Sequence, residues 1–288
     1  MKFPKFWARA TAEENDERGR RQWFTKWAWS DVSRDDAQQS ALESARKTLQ
    51  RFLRGDELSR YPYGNGAIRE EVIKSLTDER GELVAAITQN AYGSLVLNTS
   101  QVMFVDIDFP HTSLGELGRN FLAKLFKREQ TSPEVKHETA ALERVKAFVG
   151  EHRDWGLRVY RTAAGLRLLV NHALFVPKSK VTRQILTELG SDPLYIKLCE
   201  QQACFRARLT PKPWRCGHYA NTVSWPHLDE QQQLAHQQWQ AEYEQKQTGY
   251  ATCRFIESIG SSSVHPEVLM VLNLHDRFTR CEVPLPLA

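Results

Sequence analysis

Two aspartates separated by one residue carry the clearest chemical signal in the sequence. Asp106 and Asp108 close an apolar run at residues 102–105 and precede Pro110. Alternate side chains of a strand share a face, so the two carboxyl groups should project together about 7 Å apart. Carboxylate oxygens suit Mg²⁺ and Mn²⁺, which serve phosphoryl transfer. The pattern predicts a divalent-metal site at Asp106 and Asp108, and the alternative is an ordinary polar strand exit.

A second candidate group flanks the turn Thr162-Ala-Ala-Gly165. Strands predicted at residues 156–161 and 166–170 would form a hairpin around it. Gly165 permits close backbone approach, and arginine donates paired hydrogen bonds to phosphate. The hairpin residues expected to contact phosphate are Arg158, Arg161 and Arg167. The alternative is a surface hairpin with ordinary arginines.

Basic residues also cluster between residues 204 and 218. Arg206 and Arg208 share one face of a predicted strand, which leads into a Pro-Lys-Pro loop with Lys212 and then Arg215. Cations that converge where a strand ends favour phosphate or nucleic-acid backbone contact. The alternative is a salt-bridged edge strand.

Zinc is not expected in this region. The residues that a zinc site would need are Cys199, Cys204, Cys216 and His218. They contain no Cys-x-x-Cys pair, and their spacing matches no common zinc motif. The pair His275-Asp276 is typical of metal phosphohydrolases, but the further ligands of such enzymes are not arranged around it.

The elements that must position these residues do not follow a repeating strand-helix-strand order. Strands are predicted at residues 22–30, 83–88, 94–98, 102–108, 156–161, 166–170, 204–209 and 251–258. Helices are predicted at residues 33–54, 68–76, 114–127, 133–149, 181–189, 193–202 and 229–247, with a last apolar segment at 268–274. The strands at 83–88, 94–98 and 102–108 are expected to be adjacent and antiparallel. This order predicts an α+β protein with a largely antiparallel sheet.

Composition narrows the class of protein. The 288 residues include 39 Lys+Arg and 35 Asp+Glu, and 41% are hydrophobic, which is typical of a soluble globular chain. No run approaches the roughly 20 apolar residues of a membrane span, so we expect no membrane partner and a cytoplasmic location. The five cysteines are an odd number and are expected to be free thiols.

Tryptophans are concentrated near the N-terminus. Trp7, Trp23, Trp27 and Trp29 fall in the first thirty residues, interleaved with lysines and arginines. They are predicted to form the core of a strand-helix unit, with a base-stacking surface as the alternative. The expected organisation is an aromatic N-terminal unit at 1–66, a core at 67–218 and a C-terminal extension at 219–288 packed on that core.

The motif order resembles the catalytic core of the archaeo-eukaryotic primase superfamily, the primase-polymerases. The resemblance covers about residues 84–218: a strand ending Asp-x-Asp, a Thr-x-x-Gly-x-basic hairpin and an Arg-Leu-x-Pro-Lys segment. It implies an RRM-like sheet, with Asp106 and Asp108 as metal ligands for nucleotidyl transfer. Arg167 takes the place where many members have a histidine that contacts the nucleotide phosphate. A third acid is also implied, and Asp192, Glu188 and Glu200 all remain candidates.

These observations predict a nucleic-acid-binding protein that uses Mg²⁺ or Mn²⁺ for primase- or polymerase-like nucleotidyl transfer in DNA replication or repair. Asp106, Asp108 and Arg167 are the expected catalytic residues, and the partners are DNA or RNA and nucleotides. One alternative is a non-catalytic nucleic-acid-binding or assembly module of the same fold. Another is an Asp-x-Asp metal-dependent nucleotide-sugar transferase or phosphohydrolase.

Overall fold

The structure is a computed structural model, and it describes residues 1–58, 66–110, 133–223 and 225–288. This part of the chain contains ten strands and six helices. The strands are β1 Phe6–Asn15, β2 Arg21–Ser30, β3 Glu71–Thr77, β4 Leu83–Gln89, β5 Leu95–Thr99, β6 Phe104–Asp108, β7 Gly156–Thr162, β8 Gly165–Val170, β9 Phe205–Arg208 and β10 Cys253–Gly260. The helices are α1 Arg34–Leu53, α2 Pro133–Glu151, α3 Lys180–Glu188, α4 Pro193–Gln202, α5 Glu230–Gln247 and α6 Pro266–Thr279.

The N-terminal unit is a two-stranded antiparallel hairpin covered on one face by α1. Ser33 caps the helix by accepting a hydrogen bond from the Asp36 backbone N–H, as the sequence pattern predicts. The unit's core consists mainly of small side chains, which let helix and hairpin approach closely: Ala10, Ala12, Ala28, Ala41, Ala45, Leu49 and Phe24.

The prediction that the N-terminal tryptophans form this core is wrong. Side chains alternate along β2, so Phe24 and Ala28 face α1 while Trp23, Trp27 and Trp29 lie on the opposite face. β1, which the sequence analysis missed, completes that outer face by pairing with β2 along its whole length.

Two four-stranded antiparallel sheets form the rest of the fold, which confirms the α+β class. Their strand orders are β10-β7-β8-β6 and β3-β4-β5-β9. The predicted adjacency of the strands at 94–98 and 102–108 is wrong. The free edge of β5 pairs with β9, and Thr99 Oγ1 donates to the Val102 carbonyl 2.6 Å away in the turn that sends β6 to the other sheet.

Other differences from the sequence-based prediction are local. The segment predicted as a helix at 68–76 is the strand β3, because it pairs with β4 and tertiary pairing overrides weak local preference. The last apolar segment belongs to α6. The helix predicted at 114–127 lies outside the described residues.

A single large core joins both sheets to α2, α3, α4 and α6, while α5 buries Trp239 and Tyr243 in a separate small cluster. The C-terminal residues 219–288 take part directly, since β10 pairs with β7 and α6 buries Val268 and Val271 against the sheet. None of the helices in the described part of the chain combines the length and apolar character that a bilayer span requires.

Candidate metal and phosphate site

The acid pair lies at the end of β6, beside the β7–β8 hairpin. Asp106 is opposite Arg167, and Asp108 is opposite Gly165. A Cβ atom at Gly165 would come within 1.9 Å of the Ile107 carbonyl oxygen, so only glycine allows this approach of the hairpin to the acid strand. Asp106 is half-buried and Asp108 is exposed, which places both carboxyl groups at an accessible strand end.

A third carboxylate, Asp192, is fixed to the same strand. Its backbone N–H donates to the Asp106 carbonyl oxygen across 2.8 Å, and Ser191 Oγ donates to that oxygen across 3.1 Å. Asp192 also caps α4, where its Oδ2 accepts from the Tyr195 N–H. Desolvation and the nearby negative charges of Asp106 and Asp192 raise the pKa of Asp108. The three carboxylates are therefore neighbours, although their oxygen atoms do not all lie within 4.8 Å of one another.

The other two candidates for a third acid have different partners. Glu188 accepts a hydrogen bond from Gln184, and Glu200 forms an ion pair with Arg183. The sequence alone does not identify Asp192 as the third acid, because this residue follows a helix rather than a strand. Only the packing of the loop before α4 against β6 brings it to the acid pair.

Three cations face these carboxylates. Partial desolvation and the positive charges of Arg208 and Arg215 lower the pKa of Lys212, so the three cations are neighbours. Lys212 and Arg208 in turn oppose the rise in the pKa of Asp108. β9 supplies Arg208, while Lys212 and Arg215 come from the loop and the 3₁₀ turn that follow.

These opposite charges are close but not paired. No residue of the group forms an ion pair with any described residue: Asp106, Asp108, Asp192, Arg208, Lys212 and Arg215. The Nε of Arg208 is buried and has no hydrogen-bond partner among the described atoms. These six residues, called the cleft below, thus combine three acids with three cations, and one of the cations has an unsatisfied buried donor.

Three of the other arginines predicted to bind phosphate are neutralised by protein carboxylates. Arg206 Nη2 contacts both carboxylate oxygens of Glu70 at 2.6 and 2.7 Å, and both side chains are nearly buried. Arg161 Nε donates to Glu138 across 2.9 Å. Arg158 donates to Asp276, as described below. Arg206 therefore holds β9 to the segment before β3, and Arg208 is the arginine of that strand that faces the acids.

Arg167 lies beneath the cleft rather than in it. Its side chain is 3% exposed, and Nη1 donates to the Arg208 carbonyl oxygen across 2.8 Å. The same Nη1 is 3.3 Å from His275 Nε2. Arg167 thus connects β8, at the centre of one sheet, to Arg208 in β9 of the other.

Behind Arg167 lies a buried polar network that the sequence analysis did not anticipate. His275 Nδ1 is 2.9 Å from Asp276 Oδ1, and Asp276 also accepts from Tyr160 and Arg158 at 2.7 and 2.6 Å. Burial lowers the pKa of His275 to about 4, so the ring is neutral at pH 7. The protonated Nδ1 then donates to Asp276, and Nε2 accepts from Arg167. The only signal for this network in the sequence is the pair His275-Asp276. That pair is typical of phosphohydrolases and does not indicate that His275 contacts Arg167.

A different cluster contains three metal-binding residue types. In the described ranges, Asp276, Cys281 and Glu282 are the one group of three His, Cys, Asp or Glu residues whose ligand atoms all lie within 4.8 Å of one another. However, Asp276 already accepts three hydrogen bonds, and desolvation raises the pKa of Cys281. These two groups are therefore poor ligands. Neither the residues considered for zinc nor the three aspartates Asp106, Asp108 and Asp192 form such a group.

The carboxylates of the cleft fit a hard divalent cation better. Carboxylate oxygens match the preferences of Mg²⁺ and Mn²⁺, and none of the three aspartates forms an ion pair with a described residue. No family model, curated protein or solved structure matches the chain.

Proposed function

We propose that this protein is a divalent-metal-dependent nucleotidyltransferase of the primase-polymerase type, acting on DNA or RNA in the cytoplasm. The observation that carries the proposal is that three carboxylates and three cations lie near one another, while none of them forms an ion pair with a described residue. A nucleoside triphosphate with its metal has the complementary pattern, because the cation meets carboxylates and the phosphates meet arginine and lysine.

The acids have the role of metal ligands in this proposal. Asp106 and Asp108 offer carboxylate oxygens from one face of β6, and Asp192 adds a third group beside them. A bound Mg²⁺ or Mn²⁺ would neutralise the polyphosphate and favour ionisation of the attacking hydroxyl. The glycine at position 165 keeps the hairpin close to the strand and so fixes where the two aspartates lie.

The cations hold and orient the phosphates. Arg208, Lys212 and Arg215 bind phosphate oxygens, and Arg167 positions Arg208 through its backbone carbonyl. In the transfer, a 3′-hydroxyl oxygen bonds to the α-phosphorus, the bond from that phosphorus to the bridging oxygen of the β-phosphate breaks, and pyrophosphate leaves with that electron pair. The hydroxyl proton passes to solvent. Cations fixed around the leaving phosphates stabilise the charge that develops on them.

The test is incorporation of labelled nucleotides on a primed template in Mn²⁺ and in Mg²⁺. We expect Asp106→Asn and Asp108→Asn each to reduce incorporation by about a hundred-fold or more, because each keeps the side-chain shape but removes a charged ligand. Glu188→Gln is the matched control, since it removes a carboxylate that lies outside the cleft.

Each outcome is informative. Equal incorporation by the wild type and both Asp→Asn variants would contradict the catalytic role. Salt-sensitive DNA or RNA binding without incorporation would favour a non-catalytic module of the same fold. Metal-dependent nucleotide binding without polynucleotide binding would favour a nucleotide-sugar transferase or phosphohydrolase.

A further inference from the structure

An exposed tryptophan lies between two cations of the cleft. Trp214 is in the 3₁₀ turn Pro213–Arg215, one residue from Arg215 and two from Lys212, and it is 52% exposed. The turn is held by backbone hydrogen bonds from Arg215 to Lys212 and from His218 to Pro213, at 2.8 and 2.9 Å. Pro213 is buried and anchors the turn. The tryptophan is therefore presented to solvent from a firmly held backbone.

A tyrosine supports the same ring. Tyr92 lies in the turn between β4 and β5, and its ring packs edge-on against Trp214 with centroids 5.2 Å apart. Asn90 accepts hydrogen bonds from the backbone of Tyr92 and Ser94, which fixes this turn. The Lys212 ammonium is 5.7 Å from the Trp214 centroid. Tyr92 supports the indole at its edge, and about half of the Trp214 side chain remains exposed to solvent.

The exposed half of the Trp214 side chain is accessible to a ligand. An exposed indole contributes little to the core, and its large apolar surface is unfavourable in water. Tyr92 is near enough to Arg215 to affect the pKa of that guanidinium, so the aromatic pair borders the cation group directly. Aromatic rings next to cations are the combination with which proteins hold nucleotides, because bases stack on rings while phosphates bind the charges.

We propose that Trp214 is the stacking platform for a nucleobase whose phosphates lie against Arg208, Lys212 and Arg215. This inference rests on the proposed function and narrows it, because the ligand is then a nucleotide and not a bare polyphosphate or a sugar phosphate. Stacking is tolerant of base identity, since every base has a π-face, so the platform accepts all four bases. Tyr92 is a positioning residue that keeps the indole in place.

The test compares two ligands that share phosphates and differ in the base. Calorimetric titration in Mn²⁺ uses a deoxynucleoside triphosphate with a non-hydrolysable α,β-methylene bridge, and inorganic tripolyphosphate. We expect Trp214→Ala to weaken binding of the nucleotide about 10-fold or more and to leave binding of tripolyphosphate unchanged. Trp214→Phe should recover most of the nucleotide affinity, whereas Trp214→Leu, apolar but not aromatic, should not.

A second exposed tryptophan provides the control. Trp23 is 65% exposed on the outer face of the N-terminal hairpin, so Trp23→Ala should change neither affinity. Equal weakening of both ligands by Trp214→Ala would overturn the stacking role and assign Trp214 to the support of Lys212. Full nucleotide affinity in Trp214→Leu would overturn it as well.

The same titrations separate this inference from the function on which it rests. If Asp106→Asn and Asp108→Asn leave the Mn²⁺-dependent affinity for both ligands intact, the proposed metal site is wrong, whatever Trp214 does. If those variants lose affinity for both ligands and Trp214→Ala loses none for the nucleotide, the metal site stands and the stacking platform is wrong.

Discussion

Arg167 Nη1 lies 3.3 Å from His275 Nε2, in a region where both side chains are buried. The contact joins a strand that pairs with the acid-bearing β6 to the helix α6, near the end of the chain. It requires a neutral His275, because an imidazolium would bring a second positive charge against the guanidinium. The position of Arg208, whose carbonyl Arg167 binds, thus depends on the protonation state of a histidine that the cleft does not contact.

Stability should therefore fall as the pH falls from about 6.5 towards 4. Burial lowers the pKa of His275 from 6.5 to about 4, so the unfolded chain binds this proton over that window and the folded chain does not. The groups facing His275 are Asp276 on its own helix, Arg158 and Tyr160 on β7, and Arg167 on β8. We expect a loss of about 3 kcal/mol in the free energy of unfolding between pH 7 and pH 4.

Urea unfolding at a series of pH values checks this prediction, with His275→Gln as the matched variant. Glutamine cannot take up a proton, so the variant should be less stable than the wild type at pH 7 but should lose less on acidification. His152, partly exposed at the end of α2, provides a control histidine. If His275→Gln and the wild type show parallel pH dependence, His275 is not the group responsible.

The local sequence pattern was sufficient to predict the strands and the helix named here. The apolar run before Asp106 and the turn ending at Gly165 both mark β-structure, because strand alternation and turn chemistry are encoded within a few residues. The helix at Pro133 begins where a proline at a first-turn position predicts it. Such features need no knowledge of the distant chain.

Partners far apart in sequence were not predictable from local pattern. Glu70 neutralises Arg206 across 136 positions, and His275 meets Arg167 across 108. The periodicity of the sequence does not show which of several arginines forms an ion pair with a carboxylate. Alternation along β2 predicts one buried face but does not show which face that is. The alanines of β1 and α1 permit the closer approach and fill the face opposite the tryptophans.

Replacement of Gly165 by alanine should disturb the acid strand. The added Cβ would lie 1.9 Å from the Ile107 carbonyl oxygen, which is backbone and can yield only if β6 shifts. We expect a loss of about 2–4 kcal/mol in unfolding free energy, together with weaker Mn²⁺ binding, because Asp106 and Asp108 belong to the displaced strand. Urea unfolding and Mn²⁺ titration measure the two effects.

Gly150 is the matched control for that substitution. It lies in α2, and an added Cβ there meets no atom within 4 Å. Gly150→Ala should therefore be neutral or stabilise the protein by up to about 1 kcal/mol, since alanine is the better helix former. A Gly165→Ala protein as stable as the wild type would show that the hairpin does not need this close approach.

The Glu70–Arg206 pair should matter for stability rather than for ligand binding. Glu70→Met leaves the buried Arg206 charge without its partner, which typically costs about 3–5 kcal/mol. Glu70→Met combined with Arg206→Met removes both charges and should cost much less than the sum of the single changes. A double-mutant cycle by urea unfolding gives the coupling free energy, and additive effects would contradict an interacting buried pair.

The unpaired cations should behave in the opposite way. Lys212 and Arg215 have no acidic partner in the described parts of the chain, so Lys212→Ala and Arg215→Ala should change the unfolding free energy by less than about 1 kcal/mol.

If each binds one phosphate of a single-stranded oligonucleotide, each substitution should weaken binding and reduce the slope of log affinity against log salt by about 0.7. Arg183, paired with Glu200 on the surface, gives the control substitution Arg183→Ala, for which no change of slope is expected. Fluorescence anisotropy of a labelled oligonucleotide over a salt series measures these slopes. Slopes for Lys212→Ala and Arg215→Ala that match the wild-type slope would place the nucleic acid elsewhere on the protein.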